Sequence, residues 1–204
     1  MKFQHSSNNI TQEIVFIHIP RTAGSYLERS LCQSFHVTKK WPRPDIQHLF
    51  GLHRLGKNHY ITLQHLTMSE MDKFHFITPH ENQFIFTIIR HPVDRLLSLY
   101  QWCRKKSMTT SLDNFLRQLK SLSLDNYPYN GMMPTRPGFN HRNMTRSLKD
   151  ITYFVLPQYY YIHHEKYHVN CFKYENMEQL NNILPLKTPL KFTPRLPRPL
   201  RYLG

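Results

Sequence analysis

Acid is what this sequence has least of. Across 204 residues, 13 Asp and Glu stand against 27 Lys and Arg, a formal net charge of +14 with histidine neutral. Such an excess concentrates polyanions near the surface, so nucleotides, nucleic acids and sulfated or carboxylated glycans all qualify as partners. Cysteine is scarce too: Cys32, Cys103 and Cys171 are too few and too scattered for a disulfide framework, and the odd count favours a reducing compartment. No run approaches the ~18 apolar residues of a membrane span, and the opening MKFQHSSNNITQE lacks the apolar core of a secretory signal. As written, the chain is expected to be soluble and cytoplasmic, which makes the glycosylation patterns at Asn9-Ile10-Thr11 and Asn143-Met144-Thr145 chance matches. Internal repeats are absent. Hydrophobic residues at 40% and aromatics at 13% exclude a disordered chain, and the length suits one core.

What is present is organised around Ile14 to Glu28. Ile14-Val15-Phe16-Ile17 is a short apolar run rich in β-branched residues, as a strand buried on both faces would be. Pro20 ends strand pairing because it has no N–H to give. Small residues follow, and then Leu27, Leu31 and Phe35 recur at i, i+4, i+8 like one apolar face of a helix. Strand, compact loop and helix N-terminus point several backbone N–H groups at one spot, an anion site reinforced by the helix dipole and by Arg21. An ordinary βα connection has the same outline, so this stretch alone does not decide.

A second unit changes the weighting. Phe84 to Ile89 is another apolar strand pattern, ended by Arg90-His91. Pro92 suits a first helical residue, Asp94 the positive first turn, and Arg104-Lys105-Lys106 the negative end. Val93, Leu96, Leu97, Tyr100 and Cys103 are the expected apolar face of that helix. Two strand–loop–helix units predict an α/β fold, a P-loop-like parallel sheet flanked by helices in a single domain. Ligands of such sheets bind at the carboxyl ends of the strands, so two loops can hold two anionic groups of one ligand. There Arg90 offers a rigid fork and Ser98 a hydroxyl.

Elsewhere, Trp41 to Lys57 is expected to be an irregular surface segment and His59 to Leu63 a short strand. Thr67 with Glu70 three residues on is a capping box for a helix over Ser69 to Phe74. Ser111 to Leu122 and Glu175 to Leu184 are expected helices, and Val169 to Tyr174 a strand. Asn126 to Arg146, with its Pro and Gly, is a long loop of the kind that carries function or moves. The domain is expected to span residues 1–184, followed by an extended, basic, Pro-rich tail over residues 185–204.

FIHIPRTAGSYLE followed by FTIIRHPVDRLLSLY resembles the family 2 carbohydrate sulfotransferases, of heparan and chondroitin type, which use 3′-phosphoadenosine-5′-phosphosulfate (PAPS). Their H-I-P-K-T-G-G-T loop binds the 5′-phosphosulfate, and their R-x-P-x-x-R-x-x-S-x-Y binds the 3′-phosphate. Arg90, Pro92, Arg95, Ser98 and Tyr100 match the second pattern. His18, Ile19, Pro20, Thr22 and Gly24 match the first, with Ser25 for Thr. Leu63-Gln64-His65-Leu66-Thr67 lies where the family places a catalytic histidine, and Pro157-Gln158 and Phe172-Lys173-Tyr174-Glu175-Asn176-Met177 are similar to its later P-Q and F-E-N-L stretches.

The resemblance implies PAPS as co-substrate without a metal, and a carbohydrate acceptor, an acidic glycan among the candidates. It also implies cofactor contacts from Arg21, Thr22, Ala23, Gly24, Ser25, Tyr26, Arg90 and Ser98, with Arg21 and His65 as the catalytic pair. Arg21 stands where the family has Lys; it keeps the charge but cannot give up a proton, since its pKa stays above ~12. Ala23 stands where Gly is common and is expected to need only a helical or extended backbone angle. His53 in Gly51-Leu52-His53 is the rival base, and Arg195 and Arg198 are stand-ins for the family's C-terminal basic stretch. His18 is expected to pack against or orient the loop. Animal members are anchored in the Golgi membrane, so the Golgi lumen is the expected compartment if this chain is part of a longer one.

Three other classes are weaker. His164-Glu165-Lys166-Tyr167-His168 spells the zinc-peptidase pattern H-E-x-x-H, which needs a helix to bring both histidines to one metal. Its flanks YYYIH and VNCFKY instead suggest strands. A P-loop kinase would carry G-x-x-x-x-G-K-[ST], which is absent. A pure nucleic-acid or polyanion-binding module explains the charge but not two ordered loops, and no specific nucleic-acid partner is expected. Apart from these, Arg21 leaves open a non-catalytic, basic polyanion- or nucleotide-binding protein of the same fold, one that binds PAP or glycan without turnover.

Overall fold

The apolar run at Ile14 to Ile17 forms the inner part of a strand with neighbours on both sides, and all four residues are buried. The computed structural model describes residues 1–7, 10–39, 43–56, 59–122, 132–133 and 153–192. In chain order the elements are β1 (Lys2–Ser7), β2 (Ile10–Ile17), α1 (Gly24–Ser34), β3 (Leu52–Gly56), β4 (His59–Thr62), α2 (Met68–Lys73), β5 (Gln83–Ile89), α3 (Pro92–Lys105), α4 (Leu112–Lys120), β6 (Met132–Met133), α5 (Gln158–Ile162) and β7 (Asn170–Lys173). A 3-10 segment over Tyr174–Asn182 follows β7, in place of the α-helix expected there.

The main sheet has the order β1-β2-β5-β7. β2, β5 and β7 are parallel, with Ile17 level with Thr87 and Ile89 level with Lys173. β1 pairs antiparallel on the outer side of β2, an edge the sequence did not announce. Because side chains alternate along a strand, Ile14 and Phe16 enter one core with Leu27 and Leu31 of α1 and with Met177 and Leu180. Val15 and Ile17 enter the other, with Leu63, Met68, Met71 and Tyr161. Helical structure therefore covers both faces of a mostly parallel sheet, which makes the molecule α/β as expected. Among the described residues no helix is long and apolar enough to cross a membrane.

Several expectations need correction. Residues 41–57 are not wholly irregular: β3 lies within them, pairs antiparallel with β4 in a second sheet of order β3-β4-β6, and is preceded by buried Leu49 and Phe50. The YYYIH flank is mostly helix α5, not strand, and His164 and His168 of the H-E-x-x-H pattern flank a bend at Glu165-Lys166 rather than lying on a helix. The inner face of α3 is Arg95, Leu99 and Cys103, whereas Val93 is exposed. An arginine at a core position shifted the apparent apolar stripe by one residue. Of the Asn126 to Arg146 stretch only Met132–Met133 is described, as β6 beside β4; residues 193–204, with Arg195 and Arg198, also lie outside the described residues. The segment over residues 185–192 runs along α1, where Ser30 Oγ donates to the Thr188 carbonyl (3.1 Å) and the Ser34 hydroxyl accepts from the Lys187 amide (2.9 Å).

The capping box at α2 is formed in both directions. The Glu70 amide donates to Thr67 Oγ1 (3.2 Å), and Glu70 Oε2 accepts from the Thr67 amide (2.8 Å). Both residues are buried, so no water substitutes for a lost partner. Thr67→Ala is expected to cost about 1–2 kcal/mol of stability, and urea melts of the two proteins check it.

Candidate functional site

The parallel register puts the carboxyl ends of β2 and β5 side by side, so the chain leaves both strands at one edge. From β2 it enters His18 to Ala23, a tight loop that closes by a hydrogen bond from Thr22 Oγ1 to the Ile19 carbonyl (2.8 Å). Two non-glycine residues here are left-handed, Arg21 at φ 70° and Ala23 at φ 73°. The expectation for Ala23 was therefore wrong: the turn into α1 needs a backbone angle that a Cβ resists. Gly24 is required for a different reason. A Cβ there would lie 1.9 Å from His18 Cδ2, inside the ring.

His18 is buried and its Nδ1 meets Glu28 Oε1 at 2.7 Å. The other oxygen of Glu28 accepts from Lys39 Nζ at 2.8 Å. Burial alone would raise the Glu28 pKa; the charges and hydrogen bonds of His18 and Lys39 outweigh it and hold the carboxyl well below its usual range. Glu28 was not singled out from sequence. Its one signal was position, a carboxylate beside Leu27 on the buried side of an amphipathic helix.

Ala23 gives α1 no side-chain cap, so the first amides of this 11-residue helix, beside exposed Ser25 and Tyr26, are open to an anion. Three predicted residues converge beside it. Arg21 Nη2 donates to Ser98 Oγ (3.0 Å), and Arg90 Nη1 reaches the Arg21 carbonyl (3.4 Å). The Arg90 guanidinium lies 4.8 Å from the centre of the Tyr174 ring, and its Nε is buried with no hydrogen-bond partner among the described residues.

Arg95 plays a different part from Arg90. It is buried and spends its donors on backbone: Nε on Pro20 O (2.9 Å), Nη1 on Leu156 O (2.7 Å), Nη2 on Phe154 O (2.9 Å). It ties the first loop to the turn segment before α5.

That segment covers His65. The ring centres of Tyr153 and Phe154 lie 5.7 and 5.5 Å from the imidazole, and that of His18 lies 4.5 Å away. His65 Nδ1 sits 3.1 Å from the His18 carbonyl, which can only accept, so Nδ1 carries the proton. Nε2 is left as the basic nitrogen, 3.3 Å from Gln64 Nε2. Burial, with the adjacent His18, lowers the His65 pKa to about 3. His53 stands apart on β3, edge-on to Phe76 with ring centres 5.8 Å apart. His164 of the H-E-x-x-H pattern lies 3.5 Å from Asp72. Among the described residues no cluster of metal-ligating side chains occurs.

Set against models of known protein families, residues 5–188 match the model described as the Sulfotransferase family, a span that covers most of the chain. No curated protein and no solved structure matches.

Two outcomes follow from the site's backbone and its buried base. Leaving Ala23 left-handed costs about 1–2 kcal/mol, against about 0.5–1 kcal/mol of chain entropy that glycine would add, so Ala23→Gly should stabilise by up to about 1 kcal/mol in denaturant melts. His65 binds its proton more weakly folded than unfolded, so the unfolded chain takes up more protons below pH 6.5 and stability falls as pH drops from there toward about 3. The slope is at most about 1.4 kcal/mol per pH unit. Melts at pH 6.5 and 5 should show a smaller difference for His65→Gln than for the parent.

Proposed function

The chain belongs to the Sulfotransferase family, and from that premise we propose that it moves a sulfuryl group from PAPS to a hydroxyl of a carbohydrate, by in-line transfer. The buried Arg90 Nε, which meets no acceptor among the described residues, carries most weight, because it lies in a cluster with Arg21 and Ser98. A donor left unpaired there costs about 1–3 kcal/mol unless a ligand oxygen meets it, and a nucleotide phosphate is such a ligand.

The residues divide by task. The amides opening α1, with Thr22 to Tyr26 around them, suit the 5′-phosphosulfate, while Arg90 and Ser98 suit the 3′-phosphate. Bound PAPS would supply an activated sulfuryl group whose leaving group is a phosphate. Arg21 adds fixed positive charge where that phosphate gains negative charge, and it acts by electrostatics alone because it cannot give up its proton. His65, held in one tautomer by the His18 carbonyl, presents Nε2 to take the acceptor's proton. Its low pKa keeps it unprotonated at neutral pH and also makes it a weak base, so placement has to supply much of the rate. The net charge of +14 favours an acidic glycan as acceptor. The weak base is the observation that favours a second reading, a family member that binds nucleotide or polyanion without turnover.

Calorimetric titration with 3′-phosphoadenosine-5′-phosphate (PAP), ADP and ATP tests the cofactor assignment, since PAP and ADP both carry two phosphates and ADP has its second one at the 5′ end instead of the 3′ position. PAP should bind at least tenfold more tightly than ADP, and Arg90→Ala should abolish the difference; equal binding by the parent protein would sink the assignment. His65→Ala should keep PAP binding and lose turnover in an acceptor screen. Turnover that survives this change removes His65 as base.

A further inference from the structure

The parallel ladder of the central sheet ends one residue before it is needed. β5 and β7 pair as far as Ile89 and Lys173, and β5 stops there. Arg90, next in the chain, is half-buried and has no strand partner for its backbone. A side chain takes the ladder's place. Gln158 Oε1 accepts the Arg90 N–H at 2.9 Å, and Gln158 Nε2 donates to the Arg90 carbonyl at 2.7 Å. Only the amide side chains of Asn and Gln carry an acceptor and a donor in the arrangement that a peptide group offers. Gln158 is the first residue of α5 and follows Pro157, whose ring fixes one backbone angle at the start of the helix.

We infer that Gln158 is a positioning residue for nucleotide recognition: by clamping both backbone groups of Arg90 it aims the guanidinium that reads the 3′-phosphate. The inference rests on the cofactor reading above. The guanidinium sits at the end of four rotatable bonds, so a shift of the Arg90 backbone is magnified at its tip. With the backbone clamped, the side chain crosses the Tyr174 ring at 4.8 Å and brings Nη1 to the Arg21 carbonyl. Both contacts leave the buried Nε facing no protein acceptor among the described residues. Pre-aiming of this kind lowers the ordering cost of binding rather than adding a contact to the ligand.

The clamp is separable from the fold. The segment that carries Gln158 is held independently by Arg95 on the carbonyls of Phe154 and Leu156, by buried Leu156 and Tyr161, and by the Tyr161 hydroxyl on the Tyr153 carbonyl. Loss of the Gln158 amide leaves these in place.

The test is titration of Gln158→Ala and Gln158→Glu with PAP and with ADP, alongside thermal melts. Gln158→Ala should weaken PAP binding about tenfold while ADP binding stays within about twofold, which removes the preference for the 3′-phosphate. Gln158→Glu has the same shape, keeps an acceptor for the Arg90 amide and loses the donor to its carbonyl, so it should fall between. It also decides the matter if Gln158→Ala does not fold. An unchanged PAP-to-ADP ratio in Gln158→Glu, or a parallel loss of both ligands, would overturn the inference. A parent protein that shows no preference for PAP overturns the cofactor reading together with it, whereas a preference kept by both variants overturns the clamp alone.

Discussion

The arrangement depends on one buried cation. Arg95 lies in the core face of α3 and gives all three of its nitrogens to backbone carbonyls from two distant stretches, Pro20 on one side and Phe154 and Leu156 on the other. Removing a guanidinium from water costs several kcal/mol, and only a full set of well-aligned acceptors returns it. Those acceptors must be free of secondary structure. The loop after β2 and the approach to α5 are such places, so the arginine selects a fold in which both stay irregular and adjacent. Lysine would not do the same, since a point charge lacks the planar fork that fixes three directions at once. Through Arg95 the loop after β2 is tied to the segment that covers His65 and leads into Gln158.

The loop itself is a compromise between backbone ease and close contact. Gly24 has an ordinary helical angle and is still irreplaceable, because the His18 ring occupies the space of a side chain. Ala23 has the angle glycine would favour and carries a methyl group instead. The likely places of the two residue types are thus inverted relative to backbone preference, and contact decides which wins. The His18 ring in turn is fixed by Glu28, and Glu28 by Lys39. A carboxylate beside the open amides of α1 would repel an anion unless offset, and the Lys39 ammonium on one oxygen and the His18 Nδ1 contact on the other do that.

Much of this was legible. The strands β2 and β5 announced themselves as apolar β-branched runs, α2 by its capping box, α3 by Pro92 at its first position, and the placement of two βα loops at one sheet edge by their order along the chain. What was not legible had physical causes. β1 is too polar, as Lys2-Phe3-Gln4-His5-Ser6-Ser7, to stand out as a strand, and its pairing with β2 comes from tertiary packing. β3 was hidden among Pro, His and basic residues. The helix α5 spans only Gln158–Ile162, and its three tyrosines have the composition of a strand. Arg95 at a core position misled the reading of α3, since a charge is not expected inside unless its partners are known. Those partners are backbone carbonyls from other parts of the chain, which no local pattern encodes. Arg21, Ser98 and Arg90 were expected at one ligand; that they touch one another is a matter of loop conformation.

The replacement of lysine by arginine at position 21 looks different once that contact is known. A lysine ammonium has one compact centre of charge with three donors and no fixed plane. The guanidinium of Arg21 reaches Ser98 with Nη2, on the Arg90 side of the site, while its backbone begins the loop that opens α1. On the proposed reading, one planar fork would therefore stand between the 5′ group and the 3′-phosphate. Arginine's charge is spread over three nitrogens and less tightly hydrated, so it can bridge neighbouring oxygens at a lower desolvation cost than an ammonium. Its proton is permanent. On the proposed reading the rate would come from charge and placement, with proton removal assigned to His65, whose low pKa leaves it neutral at pH 7. Such a site relies on geometry to an unusual degree, which accounts for so many of its side chains (Arg95, Gln158, Glu28, Thr22) being spent on holding other residues in place.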